Sequence, residues 1–299
     1  MSDLFDLLVP IHMPMEAGFV GPSPRQHFRF NGEVGFSFDK WPASFHESGK
    51  HRYLIIRIGK PQREIENLLP GIRGTIAAAA AVLDISIRPS SREVVLTSGA
   101  SADINNISLF PHGTMPHIEY HDGATNVFLP AEALTEATSI DESRPRAPEQ
   151  ALRVFADVDF EATATSRFIL LSTILELLAA RQPRDKSALA MMKRWEAEAK
   201  EAARPDVAEA VRTIFSESIG SAIARLVREA AIAADCTEEM QDSFEDQARQ
   251  AYRRRGALLH RAAPVTTDEL ASLRAVVRLV LVGKTTGTGF SPVGNRQLD

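Results

Sequence analysis

The stretch Asp-Glu-Ser-Arg-Pro-Arg-Ala-Pro, residues 141–148, divides the chain into two parts with different sequence periodicity. It is polar and proline-bearing, which is typical of a linker, and its last proline suits the start of a helix. Short segments broken by Gly, Pro, Asn and Ser precede it, whereas apolar residues at helical spacing follow it. We therefore predict an α+β protein: an α+β domain of unknown role at 1–140, a linker at 141–147 and a helical domain at 148–282.

The first part indicates an antiparallel, β-rich domain with one helix. Polar and aromatic residues alternate in His27–Phe30 and Val34–Phe38 around Asn31-Gly32, which predicts a hairpin. The aromatic residues of this hairpin are expected on the inward face of the sheet. The alternative is that they are exposed and stack on nucleic-acid bases. They are Phe28, Phe30, Phe36 and Phe38. Five consecutive alanines favour a helix from about Leu69 to Leu83. Further strands are predicted at Tyr53–Ile58, Arg92–Leu96, His117–Tyr120 and Asn126–Leu129.

The second part lacks strand signals and predicts a bundle of helices. Phe168, Leu171, Leu175 and Leu178 form an apolar stripe that ends before Pro183. The last helix is expected over Thr267–Val282, where Thr266 and Glu269 have the spacing of a capping box. Other helices are predicted at Lys186–Ala203, Val207–Glu217, Ile219–Ala233 and Glu238–Leu259. The Gly- and Thr-rich stretch 283–299 is predicted to be a disordered tail.

Composition narrows the classes of protein. With 34 Lys plus Arg against 39 Asp plus Glu, the net charge of -5 disfavours a general nucleic-acid-coating surface. The single cysteine, Cys236, excludes an intramolecular disulfide framework and is expected to be inert among acidic neighbours. The acidic start and the interruption of Leu7-Leu8-Val9 by Pro10 do not resemble an export signal. No apolar run reaches the roughly 20 residues that span a bilayer. We expect a soluble cytoplasmic protein with no membrane partner.

The most informative segment for chemistry is Tyr252-Arg-Arg-Arg-Gly-Ala-Leu-Leu-His-Arg261, which has four arginines and a histidine in an otherwise acidic chain. On a regular helix, Arg253 and His260 lie within roughly 20° of each other, whereas Arg255 and His260 are about 140° apart. A bend at Gly256 would bring Arg255 round, since glycine costs about 1 kcal/mol relative to alanine inside a helix.

This segment, on a long helix followed by a turn and a final amphipathic helix, resembles the carboxy-terminal part of a HEPN domain, particularly the Apea-like branch. The motif of that family is an arginine, four to six residues, then a histidine, and the best alignment uses Arg255 and His260. Residues 167–178 resemble the family's early helix and residues 218–227 its middle helix. The resemblance covers about 148–282 and leaves the first part unrecognised.

The resemblance implies a homodimeric, metal-independent endoribonuclease that acts as a toxin or defence effector, with Arg255 and His260 as catalytic residues. A histidine can move the proton of an RNA 2′-hydroxyl, and an arginine can hold the phosphate as its charge develops. Glu176, on the facing helix, is expected to orient the histidine. The neighbouring Arg253, Arg254 and Arg261 are expected to bind RNA.

A non-enzymatic alternative stays open. The position after the motif arginine is usually polar in active members, and Gly256 departs from this pattern. Arginines and a histidine late in a helix also interact favourably with its dipole without any catalytic role. The alternative is therefore a catalytically silent HEPN-like dimerisation or scaffold protein, such as an accessory protein of a catabolic operon.

Two other sequence patterns are candidate ligand sites. On a strand, His117, Glu119 and His121 would share one face, with His112 just upstream, and such a set can bind zinc or iron. The alternative is a polar strand edge. Gly283-Lys284-Thr285 imitates the end of a phosphate-binding loop, but it follows a helix and Arg278 occupies the place of the first glycine. We predict no metal, no other cofactor and no small-molecule ligand.

Overall fold

The computed structural model describes residues 4–12, 32–48, 51–83, 87–90, 94–96, 106–114, 131–139, 148–261 and 264–286. Backbone contacts divide the chain into two compact units. The first comprises Met1–Arg167 with Lys284–Gly287, and the second comprises Phe168–Gly283 with Thr288–Asp299. The predicted linker at 141–147 lies outside the described residues.

The first unit is built on a mixed β-sheet, and the predicted α+β class is confirmed. Within the described residues its strands are β1 (Phe5–His12), β2 (Gly32–Phe38), β3 (Trp41–Ser48), β4 (His51–Lys60), β5 (Arg88–Pro89), β6 (Val94–Leu96) and β7 (Ile107–Pro111). The strand order is β2-β3-β4-β1-β7-β6, with β5 paired to β1. The β6 and β7 strands are parallel, and the other pairs are antiparallel.

Helix α1 (Gln62–Leu83) supplies the apolar layer that packs against one face of this sheet. Its Ile65, Leu69, Ile72 and Ile76 recur at helical spacing and are buried in the core with strand residues such as Leu7 and Ile56. The predicted helix at 69–83 is therefore present and begins earlier, at Gln62.

The hairpin of β2 and β3 was not predicted. Its turn is Asp39-Lys40, since Phe38 pairs with Trp41, and Asp39 has a left-handed φ of 53°. The predicted turn residue Gly32 lies in β2, opposite Glu47. The predicted hairpin of His27–Phe30 with Val34–Phe38 depends on residues outside the described ranges, so it stays a prediction. Phe38 is buried and Phe36 packs against the same core, as expected for an inward face, whereas His27–Phe30 lies outside the described residues.

Several elements of the first unit were not predicted. Strands β1, β3, β5 and β7 were not predicted, and two helices join α1 in this unit: α2 (Ala131–Thr138) and α3 (Glu149–Val158). Pro148 does precede a helix, as expected, because it is the N-cap of α3. The predicted Tyr53–Ile58 falls within β4 and Arg92–Leu96 overlaps β6. The segments His117–Tyr120 and Asn126–Leu129 lie outside the described residues.

The second unit is helical. Its helices in the described residues are α4 (Ala164–Leu178), which begins within the first unit, α5 (Lys186–Glu201), α6 (Pro205–Thr213), α7 (Ile219–Ala233), α8 (Glu238–Arg261) and α9 (Thr267–Thr286). The predicted stripe of α4 is buried. Helix α9 continues past Val282, so the start of the predicted tail is helical, and 287–299 lies outside the described residues. None of the described helices is long and apolar enough to cross a membrane.

Candidate active site on helix α8

The arginines of the predicted motif lie near the carboxyl end of α8. This helix is continuous across Gly256, and a Cβ added there would meet open space. The helix is therefore not broken at Gly256, where the sequence suggested a bend. Glycine at this position is not required by a close neighbour.

Arg255 contacts Glu176 directly. Its Nη1 lies 2.9 Å from Glu176 Oε1, with the two side chains 26% and 24% exposed. Glu176 lies near the carboxyl end of α4, whose buried Phe168, Leu171 and Leu175 orient the helix. The structure thus brings together two of the three residues predicted to be catalytic, and the partner of Glu176 is the arginine. The Nε of Arg255 is buried and has no hydrogen-bond partner among the described residues.

Arg254 interacts with the start of α9. Its Nη2 donates to the Pro264 carbonyl at 2.7 Å, and its Nε lies 2.9 Å from Glu269 Oε1. This Nε has no hydrogen-bond partner despite the short distance, so we regard the contact as an ion pair with poor hydrogen-bond angles. Arg254 therefore links α8 to the start of α9.

Glu269 also closes the predicted capping box. The Thr266 amide donates to Glu269 Oε2 at 2.8 Å, and the Glu269 amide donates to Thr266 Oγ1 at 3.2 Å. The pKa of Glu269 is lowered, first by the hydrogen bond from the Thr266 backbone and also by the charge of Arg254. The capping box is confirmed, and its glutamate has a second partner that the spacing did not predict.

The remaining motif residues are described to different extents. Arg253 is exposed and forms no ion pair with another described residue. His260 and Arg261 lie in the last turn of α8, and their side chains lie outside the described residues. Because α8 is continuous, regular helical geometry keeps Arg253 within roughly 20° of His260 and Arg255 about 140° away.

The charge of the arginine cluster is reduced by its neighbours. Arg254 and Arg255 are paired with Glu269 and Glu176, and Arg249, earlier on α8, is paired with Glu245 at 2.7 Å. Three consecutive arginines therefore contribute less net charge than the sequence alone indicated. Of these three, Arg253 is the one whose charge is not offset by a described carboxylate.

A cleft lies beside this cluster, within the second unit, where α8 meets the start of α9. Its volume is about 260 Å³. Its lining includes three buried apolar residues, Phe168, Ala251 and Leu273, and seven polar or charged ones, Arg254, Glu269, Gln247, Gln250, Thr266, Asp268 and Ser272. The sequence did not indicate this cleft, because its lining comes from three helices that are far apart in the chain.

The other predicted sites fall elsewhere. His117, Glu119 and His121 lie outside the described residues, and the described residues contain no group of three metal-ligating side chains. His112 instead lies with its Nδ1 2.8 Å from Oδ1 of the buried Asp6. Cys236 is buried, and its thiol pKa is raised by burial and by Asp235. A neutral thiol is a poor nucleophile.

Asp6 is the centre of a polar cluster that sequence reasoning missed. Its fully buried carboxylate accepts hydrogen bonds from Arg57 Nη1 at 3.1 Å, from the Gly59 amide at 3.1 Å and from the Gly113 amide at 3.3 Å, besides the contact with His112. An acidic residue inside an apolar run, Phe5-Asp6-Leu7-Leu8, was the available signal.

The chain matches no protein-family model, no curated protein and no solved structure in the comparisons made. Any assignment of function therefore depends on the residues themselves and on the contacts that they make.

Proposed function

We propose that the second unit is a HEPN-like helical domain that cleaves RNA as a homodimer, using Arg255 and His260. The observation that carries this proposal is the ion pair of 2.9 Å between Arg255 and Glu176. It holds the motif arginine at a defined place about one and a half helical turns before His260 and about 140° from it around α8, so the two residues would act together across the dimer, where two motifs meet. An arginine that served only the helix dipole would need no such partner on another helix.

The proposed reaction needs one proton acceptor, one proton donor and one cation. His260 accepts the proton of a ribose 2′-hydroxyl, whose oxygen attacks the neighbouring phosphorus. The bond from phosphorus to the 5′-oxygen of the next nucleotide breaks, and that oxygen takes a proton from the protonated histidine. The products are a 2′,3′-cyclic phosphate and a free 5′-hydroxyl. Arg255 stabilises the negative charge that develops on the phosphate.

Glu176 is proposed to be a positioning residue for Arg255 and not for the histidine. A guanidinium has five N–H donors, and the described contact with Glu176 engages Nη1. Donors of the same group therefore remain for a phosphate. The pair is about a quarter exposed on each side, so exchanging part of it for a phosphate has a modest desolvation cost.

Dimerisation would bring two such motifs together, as the resemblance implies. Arg253 is exposed, and with Arg261 of the same helix it would supply positive charge on both sides of a shared cleft. RNA binding of this kind weakens steeply with salt, because it releases counterions. It is compatible with a net charge of -5, since the charge that matters is local.

The test is cleavage of RNA by the purified protein in the presence of a chelator. We expect Arg255→Ala and His260→Ala each to reduce the rate by at least about 100-fold, the scale of a lost general base or phosphate contact. Arg249→Ala is the matched control, because Arg249 lies on the same helix and is also paired with a glutamate. Cleavage by wild type that survives both motif substitutions would contradict the mechanism.

The positioning role of Glu176 has a separate test. Glu176→Gln keeps the shape and removes the negative charge next to Arg255. We expect kcat to fall by about tenfold while RNA binding becomes tighter, because the local potential becomes more positive. A purely structural glutamate would instead change stability and leave the relation between kcat and binding unchanged.

A second candidate is a catalytically silent dimerisation or scaffold protein. It is favoured by one observation, namely that Arg254 and Arg255 both already have carboxylate partners within the chain. This candidate predicts a homodimer that neither binds nor cuts RNA. Both candidates are homodimers, so the RNA-binding and cleavage assays separate them.

A further inference from the structure

We infer that the α8–α9 cleft is a binding site for a single nucleobase of the RNA. This inference deepens the proposed function and rests on it, because the base would belong to a nucleotide beside the phosphate held by Arg255. The size of the cleft, its lining and its position relative to the motif lead to the same ligand.

The size excludes large ligands. Sites for drug-sized molecules occupy about 300–1,000 Å³. The cleft measures about 260 Å³, which is below that range and suits one small planar group. It is open on one side, as a base attached to a ribose and a phosphate requires.

The residues that line the cleft suit a flat, uncharged ligand with a polar edge. Phe168, Ala251 and Leu273 form the apolar part of the lining and are themselves buried. Gln250 is exposed at the wall and carries both a donor and an acceptor. Gln247 donates its Nε2 to Ser243 Oγ at 3.1 Å, so its carbonyl oxygen remains an acceptor for a ligand. A nucleobase presents in-plane donors and acceptors next to apolar faces.

The charges in the cleft disfavour a phosphate as the occupant. Arg254 is offset by Glu269, and Asp268 adds a further carboxylate at the rim. The capping box already engages two amides at the start of α9, those of Thr266 and Glu269. An anion would therefore be repelled, whereas the N–H groups of a base would find acceptors.

The position of the cleft links it to the motif. Arg254 lines the cleft and Arg255, the next residue, turns toward Glu176 on α4. His260 follows on the same helix, about 9 Å along the axis from Arg254. In the inferred complex, a nucleotide with its phosphate on Arg255 places its base in this neighbouring cleft.

The experiment separates base binding from cleavage by using the His260→Ala protein. Binding of guanosine, adenosine, cytidine and uridine is measured one at a time by ligand-detected NMR. Ser272→Phe fills the cleft from an exposed wall position, and Ala271→Phe is the control at an exposed neighbour outside the lining. We expect at least one nucleoside to bind, and Ser272→Phe to weaken it by at least tenfold, about the effect of one base contact.

A second measurement uses the protein with His260 intact. If RNA is cleaved, we expect Gln250→Ala to change the preference for the base next to the cut by about tenfold, with Ala271→Phe unchanged. Nucleoside binding that Ser272→Phe abolishes, in a protein that cuts no RNA, would support the site and contradict the proposed activity. Cleavage with a base preference unaffected by both Ser272→Phe and Gln250→Ala would overturn the site and leave the activity standing. Failure of every nucleoside to bind would also overturn it.

Discussion

Asp6 in the first unit and Glu176 in the second each hold an arginine, but their surroundings differ. Asp6 is fully buried and receives donors from Arg57, His112 and two backbone amides. Glu176 is 24% exposed, and its described contact is with Arg255 alone. A buried carboxylate is tolerated only when its oxygens are well satisfied, so removing it is costly. A partly exposed pair contributes little to stability and is free to exchange its partner. The first cluster therefore serves the fold, and the second is suited to chemistry.

The largest expected effect is on the buried cluster. Asp6→Asn removes the charge and points an amide group at existing donors, so the free energy of unfolding should fall by about 3–5 kcal/mol. Denaturant unfolding measures it. Glu64→Gln, which breaks the exposed pair with Lys60, is the control and should cost less than about 0.5 kcal/mol. Equal losses in the two variants would refute the distinction between the clusters.

The glycine beside His112 gives the next largest effect. Gly59 has φ of 61°, and an added Cβ would lie 3.1 Å from the His112 ring. Gly113 has φ of 79° with no neighbour within 4 Å of such an atom. We expect Gly113→Ala to cost about 1 kcal/mol from its backbone conformation and Gly59→Ala about 2 kcal/mol or more, because it adds a clash. In a His112→Ala background the difference should disappear, and its persistence would exclude the clash as the cause.

The capping box on α9 should have a smaller effect that depends on pH. Thr266→Ala is expected to cost about 1 kcal/mol. Glu269→Gln should also destabilise at neutral pH, because the folded-state pKa of Glu269 is lowered by the Thr266 amide and by Arg254. A lowered pKa contributes stability above the unfolded-state pKa, and that contribution is lost as the pH falls through the acid range. The free energies of unfolding of wild type and Glu269→Gln should therefore differ at neutral pH and become equal at acid pH. A gap that does not depend on pH would contradict the charge argument.

The smallest expected effect on stability belongs to the proposed site. Glu176→Gln should change the free energy of unfolding by less than about 1 kcal/mol, since both partners are partly exposed. The same denaturant experiment measures it, with Arg249→Ala for comparison. A loss as large as that of Asp6→Asn would mean that the pair is structural.

The sequence predicted the helical unit better than the sheet. Helical spacing depends on neighbours three and four residues apart, so the stripe of α4 and the Thr266–Glu269 box could be recognised directly. Strand pairing depends on distant residues, so β1, β3 and the turn at Asp39-Lys40 that joins β2 to β3 were not predicted.

The candidate site was predictable in its residues and not in its contacts. Arg255 and Glu176 could be selected from the motif and the helix layout. The sequence did not show that Glu176 contacts Arg255, because that contact depends on how the helices pack. The pairing of Arg254 with Glu269 and the cleft between α8 and α9 arise from tertiary packing. No local pattern encodes either feature.

The most direct test of the proposed activity uses an RNA with one 2′-deoxynucleotide at the position before an identified cut. Attack by the 2′-hydroxyl, assisted by His260, predicts that wild-type protein cuts the unmodified RNA to a 2′,3′-cyclic phosphate, spares the deoxy position, and loses the activity in His260→Ala. Cleavage at the deoxy position, or equal cleavage by His260→Ala, would contradict it.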